Sequence, residues 1–292
     1  MKNVLKLCFL LLLLSGCSSA RYARGLTDKE VYERYARHEG SLQTVTYPSG
    51  ERRIANRRFV AYLPKSYAED TTRRYPVLYL LHGARGNELT WMDSAQVTTR
   101  IDSLVASGKA REFILVTPNM NRYFSEADYK DGRCVNAMRA FWLLNGEAER
   151  HFSTVVHQTD SLFRTIPTRE GRALAGMSTG ALQALYLSAD APDLFNHVGL
   201  FSPYAYPTFA ALGHLDVYGG LSQKLERLFA RAPETYHIFI GRADIFYPHM
   251  LLFHRRLTRN GYPHTFTTTP GGHEWYNWKD FMAEFATEIF QE

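Results

Sequence analysis

The chain has 292 residues, enough for one large α/β domain or two small ones once a leader is removed. With 45% hydrophobic and 22% charged residues it can bury a sizeable core, unlike a disordered chain. Its net charge of +5 comes without a dense Lys/Arg run, so nothing argues for a nucleic-acid partner.

Lys2 and Lys6 precede the apolar run Leu7–Leu14, the pattern of a secretory leader. The run is too short to span a bilayer as a stable helix. It ends in Leu14-Ser15-Gly16-Cys17, which resembles a bacterial lipobox. That ending predicts a signal peptide over 1–16, cleavage before Cys17 and lipidation of Cys17. Ser18 fits outer-membrane sorting, so the expected location is the cell envelope, lipid-anchored at the outer membrane. The alternative is an ordinary signal peptide with an incidental cysteine. Of the three cysteines, Cys8 lies in the expected leader and Cys17 would be taken by the expected lipid. Cys134 then remains alone, and no intrachain disulfide is possible. Residues 17–45 read as the lipidated cysteine, a polar tether and an N-terminal surface segment. The catalytic domain is expected over 46–292.

Arg58–Leu63 alternates and stops at Pro64, as a strand does. Tyr75–Leu81 is a continuous apolar run, expected of a central strand buried on both faces. Further strands are predicted at Phe113–Thr117, Arg172–Met177, His197–Phe201, Tyr236–Ile240 and Thr265–Thr269. Helical stretches lie at about 94–107, 153–165, 180–190, 219–231, 247–260 and 276–290. Strands alternating with helices predict an α/β fold, a mostly parallel sheet covered on both faces. Ligands of such sheets bind at the carboxyl ends of the strands.

Gly176-Met177-Ser178-Thr179-Gly180 is a G-x-S-x-G pattern between a predicted strand and a predicted helix. That context suits a nucleophile elbow, a strained turn that exposes a serine hydroxyl. A serine needs a base, and the base an orienting acid. Of eleven histidines, His273 is best placed, in the glycine-rich loop Pro270–Trp275 between the last strand and the last helix. Asp244 closes the strand ending in Ile240-Gly241, the slot of an orienting acid; Asp193, Asp280 and Asp216 compete. The oxyanion needs two backbone N–H donors. Thr179 should supply one, and Ala84, with Gly83 as the alternative, the other. Both precede Arg85 in the loop after Tyr75–Leu81. His82 and Trp91 read as structural. Trp275, Tyr123 and Arg85 are candidate substrate contacts; Arg242 also flanks the site.

Several runs carry a resemblance together: Tyr62-Leu63-Pro64-Lys65-Ser66-Tyr67, Leu80-Leu81-His82-Gly83-x-x-Gly86-Asn87-Glu88-x-x-Trp91, Ala175–Gly180 and Ala191-Pro192-Asp193-Leu194-Phe195. With the Asp244 and His273 segments, they resemble the esterase D-like family of α/β-hydrolases over about residues 55–290. That family includes feruloyl and acetyl-xylan esterases, S-formylglutathione hydrolases, siderophore esterases and mycolyltransferases. The resemblance implies an α/β-hydrolase fold and serine esterase chemistry, with no metal and no organic cofactor. Two departures are Ala181, where a second glycine is frequent, and Ser202-Pro203, where Ser-Gly is usual. The expected substrate is an acyl or hydroxycinnamoyl ester of a small molecule or oligosaccharide. The expected partners are that substrate and a membrane reached through Cys17. Siderophore ester hydrolysis or acyl transfer are alternatives on the same fold, and a non-catalytic binding protein is the alternative of another class.

Overall fold

The computed structural model describes residues 40–51, 54–84, 86–121, 144, 146–205 and 216–291. Eight strands form one sheet: β1 (Ser41–Pro48), β2 (Asn56–Leu63), β3 (Val77–Leu81), β4 (Ile114–Pro118), β5 (Arg172–Met177), β6 (His197–Phe201), β7 (Thr235–Gly241) and β8 (Thr265–Thr269). Their order is β1-β2-β4-β3-β5-β6-β7-β8. β2 runs antiparallel to β1 and β4, and every other neighbouring pair is parallel. The helices are α1 (Ser66–Glu69), α2 (Thr90–Ala95), α3 (Val97–Ala106), α4 (Glu147–Arg150), α5 (Phe152–Leu162), α6 (Thr179–Asp190), α7 (Leu221–Ala230), α8 (Tyr247–Arg259) and α9 (Trp275–Glu288).

The continuous apolar strands follow from cover on both faces. In β3, Val77, Tyr79 and Leu81 join the core that α5, α6, α7 and α8 complete. Leu78 and Leu80 point the other way, into the core built with α2, α3 and α9. This is the expected α/β-hydrolase architecture, and it brings the parallel strands' carboxyl ends to one edge.

β1 was not among the predicted strands. It is an edge strand, mostly exposed, with few apolar residues to mark it. The sheet therefore takes in the last residues of the 17–45 segment. The helix expected over 94–107 is broken at Gln96, whose φ of +49° is left-handed. Tyr75 lies outside β3 and makes an isolated bridge to Thr165. The leader, Cys17 and the tether as far as residue 39 lie outside the described residues. Among the described residues, no helix is long and apolar enough to cross a membrane.

Candidate active site

β5 runs straight into the serine turn. Ser178 has φ +53° and ψ −116°, between Met177 at the end of β5 and Thr179 at the start of α6. Such a conformation costs on the order of 1–3 kcal/mol in a residue with a side chain and persists only where its surroundings impose it. Here the Ser178 N–H donates to the Phe201 carbonyl of β6 at 2.9 Å. The flanking glycines are needed for space. A Cβ at Gly176 would lie 2.6 Å from the Gly180 carbonyl, and one at Gly180 would lie 2.5 Å from the His82 carbonyl oxygen. Ala181 is fully buried in the core, so its extra methyl is accommodated.

The loop carrying His273 crosses tightly over the end of β7. A Cβ at Gly241 would lie 1.9 Å from the Gly271 carbonyl oxygen, so only glycine lets the two chains approach. Asn277, in the first turn of α9, is buried. Its Nδ2 donates to the Gly272 carbonyl at 2.8 Å, and its Oδ1 accepts from Thr269 Oγ1 at 2.9 Å. The Gly272 N–H donates to Glu274 Oε1 at 3.0 Å. The imidazole packs edge-on against Phe246 and Trp278, with ring centroids 5.2 and 4.9 Å away.

These supports bring three side chains into line. His273 Nε2 lies 2.8 Å from Ser178 Oγ, and His273 Nδ1 lies 2.9 Å from Asp244 Oδ2. The Asp244 carboxylate is buried, and its Oδ1 accepts the Phe246 N–H at 2.9 Å. Both oxygens are thus fixed, with one aimed at the imidazole. The competing carboxylates lie elsewhere, in surface ion pairs. Asp193 pairs with Arg231 at 2.7 Å, Asp280 with Arg100 at 3.5 Å, and Asp216 with Arg150.

Thr179 opens α6, so its N–H has no partner within the helix. The loop after β3 approaches from the other side: a Cβ on Gly83 would lie 3.6 Å from Ser178 Cβ. His82 organises that loop. Its Nε2 accepts the Met120 N–H at 3.0 Å, which leaves the ring proton on Nδ1. Nδ1–H then donates to the Gly83 carbonyl at 2.8 Å, and the Gly86 N–H donates to the same oxygen at 2.9 Å. In a trans peptide, C=O and N–H point in opposite directions. Pinning the Gly83 carbonyl therefore aims the Ala84 N–H. Burial lowers the His82 pKa to about 4, so the ring stays neutral. Beneath the loop, buried Glu88 is bound by Arg58 at 2.9 Å and Asn119 at 2.6 Å; its burial pushes the carboxyl pKa up.

Trp91 Nε1 donates to the Leu81 carbonyl at 3.0 Å, under the loop as expected. Trp275 is half-buried, with its ring edge-on to Trp91 at 5.4 Å and Trp278 at 5.3 Å. Arg85 and Tyr123 lie outside the described residues. Arg242 is exposed beside Thr268. Sequence reasoning missed Asn277 and the His82 hinge on Gly83. A polar residue in a helix's first turn carries no signal of a buried loop contact, and His-Gly identifies the loop but not the bond.

The family model described as "Putative esterase" matches residues 52–244, which include Ser178 and Asp244 and end before His273. A curated relative from Xylanibacter ruminicola, "Endo-1,4-beta-xylanase/feruloyl esterase", is 31% identical over 186 residues. That match takes in 61% of this chain and 24% of the relative, so the chain spans about a quarter of that protein's length. A solved "ferulic acid esterase" superposes with a TM-score of 0.68 at 25% identity, over 87% of this chain and all of that one. An S-formylglutathione hydrolase from Staphylococcus aureus superposes with a TM-score of 0.65 at 16% identity, over 85% of this chain and 96% of that one.

Proposed function

Because the chain belongs to the "Putative esterase" family, we propose that it is a serine esterase whose nucleophile, base and orienting acid are Ser178, His273 and Asp244. The continuous line of hydrogen bonds from Asp244 through His273 to Ser178 is the observation that carries the reading. Ser178 Oγ attacks the ester carbonyl carbon while His273 Nε2 takes its proton. Asp244 keeps the imidazole in the Nδ1–H tautomer and stabilises the imidazolium that forms. The N–H groups of Thr179 and Ala84 receive the charge developing on the carbonyl oxygen. The intermediate collapses, His273 returns the proton to the leaving alkoxide, and the acyl group stays on Ser178. A water then gives its proton to His273 and adds to the acyl carbon. Ser178 recovers the proton, and the carboxylic acid departs.

The substrate class we propose is an acyl or hydroxycinnamoyl ester of carbohydrate. The names of the xylanase/feruloyl esterase relative and of the ferulic acid esterase support it. The S-formylglutathione hydrolase on the same fold makes the leaving group a matter for measurement. The test is kcat/KM on methyl ferulate, acetylated xylan oligomers, a tricatecholate siderophore and a long-chain triglyceride. One of the first two should lead. A lead of more than tenfold by either of the others, about 1.4 kcal/mol in transition-state binding, overturns the substrate class. We further propose export and anchoring to the cell envelope through lipidated Cys17, for which the Leu14–Cys17 ending is the support. Mass spectrometry of the mature protein should find acylated Cys17 at its N-terminus; any other N-terminus refutes this.

A further inference from the structure

Far from the serine, the third residue of β7 faces the last turns of α9. His237 is 2% exposed. Its Nε2 lies 2.7 Å from Thr267 Oγ1 on β8, and its Nδ1 lies 2.8 Å from Glu288 Oε2 on α9. Glu284 stands one turn earlier on the same helix. One ligand atom from each of His237, Glu284 and Glu288 lies within 4.8 Å of the others. Like charges one helical turn apart repel. Among the described residues, neither glutamate has a Lys or Arg ion-pair partner. The His237 imidazole that meets them is uncharged unless protonated.

The geometry points to a divalent-cation site formed by His237 Nδ1, Glu284 and Glu288. Two carboxylates and a neutral imidazole carry two negative charges, which one dication balances. A nitrogen with two carboxylate oxygens suits a first-row ion such as Zn²⁺ better than Ca²⁺ or Mg²⁺, which prefer all-oxygen shells. Metal-bound histidines donate their other ring N–H to a fixed acceptor. The Thr267 hydroxyl provides that acceptor: it donates to Nε2 when Nδ1 holds the proton, and accepts from Nε2–H when Nδ1 binds metal. Ligands at about 2.0–2.2 Å from zinc require only that Glu288 back away slightly and that exposed Glu284 swing in. Four residues of strand, roughly 13 Å, separate His237 from Gly241 at the active edge. The ion is therefore structural, a clamp between the end of α9 and the sheet. The rest of α9 carries Trp278 against His273.

The test is calorimetric titration of the chelator-treated full chain with Zn²⁺, with thermal melts alongside. One ion per chain should bind, and a hundredfold excess over Kd should raise Tm by about 5 °C. Glu284→Gln and Glu288→Gln should abolish both effects. Metal-free Glu284→Gln should melt no lower than wild type, since it relieves the repulsion; that control separates lost binding from lost folding. A second convergent pair, His254 Nδ1 and His264 Nε2, 2.8 Å apart, serves as the control site. Absence of binding overturns the proposal. So does binding that survives Glu284→Gln and is lost in His264→Gln.

Discussion

Asp244 is held through both its oxygens, as the orienting role proposed for it requires. One accepts the Phe246 N–H and the other faces the His273 ring. Replacing it by Asn keeps the shape but offers the imidazole an N–H, which favours the wrong tautomer. Asp244→Asn should lower kcat by about 10⁴ with the fold intact, as in comparable triads. Asp193→Asn and Asp280→Asn should leave kcat unchanged, because both carboxylates sit in exposed ion pairs. Steady-state kinetics on the three variants decides the point. His82 makes a finer prediction. An Asn amide reaches the position of Nδ1, and a Gln amide that of Nε2. His82→Asn can therefore still hold the Gly83 carbonyl, whereas His82→Gln keeps only the Met120 contact. The Gln variant should lose kcat with little change in KM, by up to the roughly 10²–10³ that removal of a whole oxyanion donor costs. The Asn variant should retain most of its kcat. Equal kcat in the two, at matched Tm, would remove His82 from the positioning of Ala84.

At the scale of elements, the site is a junction of four strand ends. β3 delivers the His82–Ala84 loop, β5 leads into Ser178, β7 into Asp244 and β8 into the His273 loop. The glycines set how closely these elements meet. Gly180→Ala would push a methyl into the Leu81 and His82 carbonyls. It should lower both Tm and kcat, since the same atoms hold the helix against the oxyanion loop; a melt and a rate on one preparation check it. Much of this junction was legible in the sequence. The strands β5, β6 and β8 carry the predicted bounds: β5 and β6 are short, largely apolar and fully buried, and β8 is a run of β-branched threonines around Phe266, which favours a strand. The G-x-S-x-G motif and the glycine-rich histidine loop identified the residues that meet at 2.8 Å. What stayed hidden has physical causes. β1 is a polar edge strand, and the break at Gln96 is a left-handed residue with no glycine to announce it. The Asn277 and Glu88 contacts depend on burial between segments distant in sequence.

Across the whole molecule, stability is tied to pH through buried neutral histidines. Desolvation holds His82 and His197 at about 4, below the ordinary value of 6.5. Between those two values the unfolded chain binds protons that the folded chain refuses, so stability falls as pH drops. From pH 7.5 to pH 5, His82 alone should remove about 2 kcal/mol of unfolding free energy. Denaturant melts at the two pH values measure the loss, and His82→Asn should show a smaller one. A variant with the wild-type slope would contradict the neutral, buried state of this ring.

Covalent capture tests whether Ser178 is the nucleophile that His273 activates. Wild-type protein treated with a fluorophosphonate probe should gain one adduct by intact mass, mapping to the peptide that contains Ser178. Ser178→Ala should gain none, and His273→Ala should react far more slowly. An adduct on another residue, or equal labelling of the Ser178→Ala protein, would contradict the account.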